Sequence, residues 1–189
     1  VARPNPAGTT LDLGAYEHEN GVGPYDGPVW YVNGAEALPY GNGSVSAPYS
    51  MIGSAMGSAE DGDTVHVAAA TYVENIEFGG KNIAVIGADS SNTIIDGGDA
   101  GTVVSFDATE TTHGTTPVLK NFTLQNGQGE NGGGIFVIYT YPEISFVTVK
   151  ACSSGEGGGI HFGIDTYNAS LKNSIITNNT APNDGGGIN

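Results

Sequence analysis

Leu119-Lys-Asn-Phe-Thr-Leu124, followed by Gly132-Gly-Gly-Ile135, is a unit that this chain writes out three times. The second copy is Ile144-Ser-Phe-Val-Thr-Val149 with Gly157-Gly-Gly-Ile160. The third is Leu171-Lys-Asn-Ser-Ile-Ile176 with Gly185-Gly-Gly-Ile188. The strand-like segments are offset by 25 and 27 residues, and the glycine segments by 25 and 28. A period of this size with short β-rich units marks a solenoid, in which each repeat contacts only its neighbours. Each coil supplies short parallel strands that pair with the coils above and below. Inward residues then stack into apolar columns, Ile135 over Ile160 over Ile188 and Val137 over Phe162. Gly-Gly-Gly at a corner permits φ > 0 and close approach of successive coils.

Upstream the pattern loosens. Val65/Val67, Ile76/Phe78, Ile83/Val85, Ile94 and Val104/Phe106 are apolar positions with polar residues between them. Their spacings predict coils of about 18 residues that widen later. Ile52, Ala55, Met56 and Ala59 share one face of a helix at 50–60, with Ser50 as N-cap, placed to cover the open end of the stack. Residues 1–28 are broken by Pro and Gly and read as an irregular arm with one short alternation, Leu11-Asp-Leu-Gly-Ala-Tyr16. Val29-Trp-Tyr-Val32 is a further short strand. The solenoid itself is expected from about residue 60 to 189, within a domain spanning 29–189. Val1 in place of Met, and Asn189 in mid-repeat, read as the ends of a piece of something larger, truncated at its C-terminal end.

Of 189 residues, 31 are Gly and 13% are charged, and 20 acids against five bases leave a net charge of −15. That balance argues against nucleic acid and anionic membrane surfaces as partners, and suits an extracellular or saline setting, or divalent cations, without choosing among them. Cys152 is alone, so there is no disulfide framework. No apolar run approaches the length that spans a bilayer, and membrane insertion is not expected.

Ala47-Pro-Tyr-Ser-Met-Ile, Glu60-Asp-Gly-Asp-Thr-Val-His-Val, Thr71-Tyr-Val-Glu-Asn-Ile-Glu-Phe, Gly80-Lys-Asn-Ile-Ala-Val-Ile-Gly87 and Thr93-Ile-Ile-Asp-Gly97 follow one another in order. Together they resemble the opening of secreted bacterial right-handed parallel β-helix proteins of the pectin-lyase-like superfamily. The later Phe-Thr-Leu and Gly-Gly-Gly-Ile units are similar to the repeating coils of that family. The likeness covers about 29–189 and implies an all-β, right-handed parallel β-helix with a short capping helix. The superfamily holds lyases, hydrolases, epimerases and non-enzymatic surface proteins, so the fold does not choose the function. Leu11-Asp-Leu-Gly-Ala-Tyr-Glu17 resembles the closing motif of choice-of-anchor β-helix domains. Where relatives carry an Asp-rich loop, this chain has Asn33-Gly-Ala-Glu-Ala-Leu-Pro-Tyr-Gly-Asn42, which leaves a cation site there unsupported. Loop acids could take Ca²⁺ through oxygen ligands, but no EF-hand pattern assigns it, and no cofactor is expected.

A lyase of this superfamily would need a basic residue beside acidic groups. Arg3 lies in the arm, and Lys120 and Lys172 occupy equivalent repeat positions with Ser145 between, read as solvated lysines. A hydrolase would need clustered Asp residues, and Asp96 and Asp99 instead sit in a Gly-flanked turn. His18, His66, His113 and His161 have no metal-ligand spacing, with His66 and His161 read as outward. Asn126, Ala151 and Asn178 fall at matching turns. The Asn-x-Ser/Thr triplets at Asn42, Asn121, Asn168 and Asn178 are what chance gives in so Asn/Thr-rich a chain, and Cys152 reads as a small turn residue. Outward aromatics are the remaining signal: Phe136, Tyr139, Tyr141 and Phe146 fall close together, with Tyr167 one coil later. Phe136, Tyr139, Tyr141 and Tyr167 are therefore the candidate glycan or subunit contact, against a corner packing on itself.

The reading that results is a non-enzymatic extracellular structural or surface protein. The alternatives are a polysaccharide-binding adhesin module, or a fragment of a polysaccharide lyase or hydrolase. A closing strand that precedes an open β-helix further suggests head-to-tail self-association through Leu11, Leu13 and Tyr16, propagating as a fibre.

Overall fold

A computed structural model describes residues 24–35, 41–108 and 115–189. The strands are β1 (Val29–Val32), β2 (Thr64–Val67), β3 (Ala70–Val73), β4 (Ile76–Glu77), β5 (Ala84–Gly87), β6 (Thr93–Asp96) and β7 (Val104–Asp107), with the helix α1 (Ile52–Ser58) between the first two. They continue as β8 (Val118–Gln125), β9 (Ile135–Ile138), β10 (Glu143–Lys150), β11 (Ile160–Phe162), β12 (Ser170–Lys172) and β13 (Ile175–Thr177). All pairings among these strands are parallel. The result is a β-solenoid of about four turns.

One face of the stack runs β1-β2-β5-β8-β10-β12, a second joins β3, β6, the end of β8, the end of β10 and β13, and a third runs β4-β7-β9-β11. Register makes the columns. Val65, Val85, Leu119 and Ile144 stack along the first face, and Ile76, Val104, Ile135 and Ile160 along the third. All eight are buried. Phe78 and Phe106 stack face to face at 4.4 Å between centroids. Full burial of such side chains is worth about 1.5–3 kcal/mol each, and it exists only because a neighbouring coil covers them. Beyond Ile160 the column continues to Ile188, which is 46% exposed.

The expected pairings of 144 with 119 and 171, and of 149 with 124 and 176, are those observed. The expected early period of 18 is not. The first coil pairs with the second at offsets of 20 (Val65 with Val85), 23 (Tyr72 with Ile95) and 28 (Ile76 with Val104). Coils two and three are offset by 34 at Val85 with Leu119. Corner loops of unequal length absorb the differences, so apolar spacing alone misaligned these coils. For the same reason the buried residues of β6 are Thr93 and Ile95, with Ile94 only half-buried.

The stack also starts earlier than residue 60, because β1 pairs with β2 in register from Val29 to Val32. The outer edge of β1 is covered in turn: Tyr31 receives and donates backbone bonds with Tyr49 and Gly43. That removes the exposed edge which would otherwise template association.

α1 closes this end and buries Ile52, Ala55 and Met56. It is shorter than 50–60, its N-cap is Met51 rather than Ser50, and no side chain of the cap bonds to it. Its free N–H groups are met from a distance instead. Ile52 N and Gly53 N donate to the two carboxylate oxygens of Glu74, each at 2.9 Å. At the other end, Lys81 Nζ donates to the carbonyls of Met56, Gly57 and Ala59. Opposite charges therefore sit on both ends of the helix dipole.

The triple glycine has two separate causes. Gly132, Gly157 and Gly185 have φ of 65°, 59° and 51°. The middle glycine has no room: a Cβ on Gly158 would lie 2.3 Å from Thr180 O and 2.6 Å from Gly186 O. Two further corners are left-handed without glycine. One is Asn121, Phe146 and Asn173, and the other Asn126, Ala151 and Asn178, all with φ between 51° and 65°. Asn tolerates this region, whereas Ala and Phe are strained in it by about 1–2 kcal/mol. Replacing Ala151→Asn, which matches the corner above and below, is expected to raise stability by about 0.5–1 kcal/mol, read as a higher urea midpoint at unchanged slope.

Candidate functional site

The outward aromatics divide into three places. Phe136 stands on the outer face of β9 in register with Ser105 and His161, and its ring meets the His161 imidazole at 5.8 Å. His161 is half-buried rather than a freely solvated residue, and its Nδ1 is enclosed with no hydrogen-bond partner. Phe146 sits at the left-handed bend of β10, 45% exposed, with Lys120 Nζ 5.6 Å from its ring centroid.

Tyr139 and Tyr141 occupy the corner between β9 and β10. This corner is tied to both neighbouring coils: Tyr139 N donates to Ile164 O and Tyr141 N to Thr115 O, each at 2.9 Å. Beneath them the buried Thr140 hydroxyl donates to Thr115 O at 3.0 Å. On the next coil a turn carries Tyr167, held by Ala169 N to Thr166 O and Thr166 Oγ1 to Gly163 O.

Tyr141 and Tyr167 meet there. Their ring centroids are 5.3 Å apart at 44°, and Tyr141 Oη donates to Tyr167 Oη at 3.1 Å. The hydrogen bond to Tyr167 holds the Tyr141 phenol above its usual pKa. Tyr167 is 77% exposed and Ile164 is exposed beside it. The structure thus joins two of the four expected residues directly, places Tyr139 in the same corner, and leaves Phe136 with His161. Leu11, Leu13 and Tyr16 lie outside the described residues, as do Arg3, His18 and His113.

No family model matches the sequence, and no curated protein or solved structure matches it either. The chemistry must be read from the residues themselves. Lys120 and Lys172 do flank Ser145 in register, and Lys120 is engaged with the Phe146 ring. Asp96 is the last residue of β6, at the mouth of the expected turn rather than in it, and its carboxylate is held. Gly98 N donates to Oδ1, and the amides of Gln125 and Asn126 donate to Oδ2 at 2.8 and 2.9 Å. Asp99 has φ of 56° in that turn. Cys152 is fully buried, and burial pushes its thiol pKa up. Among the described residues no three His, Cys, Asp or Glu groups converge as metal ligands. No described helix is long and apolar enough to cross a membrane.

Sequence reasoning missed one concavity, a groove of about 330 Å³ on the outer face of the first coils. Tyr31 and His66, stacked at 5.8 Å, form its wall with Ile86, and Val45 and Pro48 overhang it. It is built by a non-repeating loop folded over repeating strands, so no periodic signal marked it.

Asp96 supplies a pH test. Partial burial opposes its charge, but the three donors outweigh burial and hold its pKa below the ordinary carboxylate value. The folded pKa is the lower one, so the stabilisation is complete above the unfolded value and lost as pH falls through the folded one. The urea midpoint is expected to fall below about pH 4, and Asp96→Asn is expected to flatten that acid limb while leaving other groups to titrate.

Proposed function

We propose that this chain is a non-enzymatic extracellular surface protein of the right-handed, pectin-lyase-like β-helix type. In this reading the solenoid is a rigid support, and the corner bearing Tyr141 and Tyr167 contacts carbohydrate. The observation that carries it is the surface tyrosine pair, an exposed Tyr167 against a half-buried Tyr141, presented by two adjacent coils and oriented by its own hydroxyl bond. Tyrosine offers an apolar ring face and a polar tip together, which suits the mixed surface of a sugar. Exposed apolar area of this kind is also where soluble proteins meet partners.

The catalytic alternative draws less support. Lys120 and Asp96, the residues nearest to a lyase base and a hydrolase acid, are each held by structural neighbours. Screening against neutral and acidic oligosaccharides, followed by calorimetry, tests the reading. Tyr141→Ala and Tyr167→Ala should each weaken binding about tenfold, or about 1.4 kcal/mol, whereas Tyr31→Ala in the groove should not. Binding unaffected by the first two changes, or turnover of any polyuronate by the parent, would overturn it.

Head-to-tail self-association through Leu11, Leu13 and Tyr16 stands beside this as a separate proposal, resting on the apolar alternation of that segment. Deleting residues 1–20 should lower the mass measured in solution by light scattering. An unchanged mass, or a parent that is monomeric throughout, refutes it.

A further inference from the structure

We infer that Tyr141 and Tyr167 form an oxidative cross-linking site, at which a one-electron oxidant joins the two phenols into an intramolecular dityrosine. The bond would staple one coil of the solenoid to the next. This inference does not rest on the carbohydrate reading and stands or falls with the geometry of the pair.

The two residues are 26 positions apart in sequence, yet their hydroxyls are 3.1 Å apart and their ring centroids 5.3 Å. A hydroxyl-to-hydroxyl bond brings together the ends of both rings, and so the ortho carbons that flank each oxygen. Those carbons carry much of the unpaired electron density of a phenoxyl radical. Tyr167 is exposed and Tyr141 half-buried, so an oxidant can reach the pair from the Tyr167 side. Tyr141 N donates to Thr115 O on the coil before it, and the turn bearing Tyr167 is tied to the Tyr141 coil at both ends, through Gly163 N to Val137 O and Ser170 N to Pro142 O. These bonds keep the partners facing each other and raise their effective concentration. Other tyrosines are placed differently. Tyr25 and Tyr49 pack on the Trp30 ring, Tyr31 on His66, and the buried Tyr72 donates to Ala68 O.

The step balances as follows. Each phenol gives up one electron and its hydroxyl proton, leaving two phenoxyl radicals. The radicals couple with formation of one C–C bond between ortho carbons. The hydrogens on those carbons then move to the oxygens as the rings regain aromaticity, restoring both hydroxyls. Two electrons and two protons have left the protein, and hydrogen peroxide, acting through a peroxidase, accepts them to become two waters.

The bond would anchor the turn that leads into β12 and β13. That coil needs it most, since Leu171 and Ile176 are only partly buried while Ile144 and Val149, their equivalents one coil earlier, are buried completely.

The test treats the full chain, dilute enough to disfavour intermolecular coupling, with a haem peroxidase and hydrogen peroxide. The monomer is expected to gain dityrosine fluorescence. Peptide mapping should find the segments around Tyr141 and Tyr167 joined, with the loss of two hydrogens. Tyr141→Phe and Tyr167→Phe keep both rings in place and should each reduce the monomer's fluorescence to the background of the remaining tyrosines. A monomer without a cross-link overturns the inference. So does a link mapped to another pair in the parent, or fluorescence in Tyr167→Phe equal to that of the parent. The mapping is made on the parent itself, so the outcome does not depend on how well the variants fold.

Discussion

Parallel hydrogen bonding between successive coils is the constraint on which everything else in this protein depends. Strands paired at roughly 4.8 Å leave no choice about what lies above an inward side chain. Ile135 must meet Ile160, and Leu119 must meet Ile144. The same spacing forbids a side chain on Gly133 and Gly158, the middle glycines of the first two corners, because the carbonyls of the next coil occupy that space. It also forces each corner to repeat its conformation, whatever residue is present. Ala151 is left-handed because Asn126 below and Asn178 above are.

This explains what could be read from the sequence. From residue 118 onward the coils are nearly equal in length, so identical residues recur at identical places and the register is legible. Before that, loops of different length separate the same faces, and offsets of 20, 23 and 28 coexist between one pair of coils. A single period cannot describe them, which is why Ile94 was expected where Ile95 lies. The helix was legible from its apolar face, but its caps were not, since Glu74 and Lys81 reach it from the coil it covers. Of the candidate surface, the aromatic residues stood out by spacing. Which of them touch was decided by corner geometry: a strand holds Phe136 on one face, while two turns carry Tyr141 and Tyr167 toward each other.

Phe146 is the outlier in this economy of repeats. The positions above and below it hold Asn, which tolerates the bend, and burial does not compensate the larger ring. Its contact with Lys120 recovers roughly 0.5–1 kcal/mol, part of the about 1–2 kcal/mol that the strained backbone loses. Strain retained at an exposed aromatic is more often found where a protein touches something else than where it merely folds.

The two long-range caps of α1 carry a consequence for how the N-terminal end comes into being. A helix of seven residues is marginal alone, since the first turn fixes more backbone freedom than it returns. Glu74 and Lys81 lie on either side of β4, so they arrive at the two ends of α1 only once the first coil has wound far enough to bring them there. The helix is therefore not a nucleus that the coils grow from. It is a latch, set by the coil it closes, and its presence reports that the first turn of the solenoid is complete.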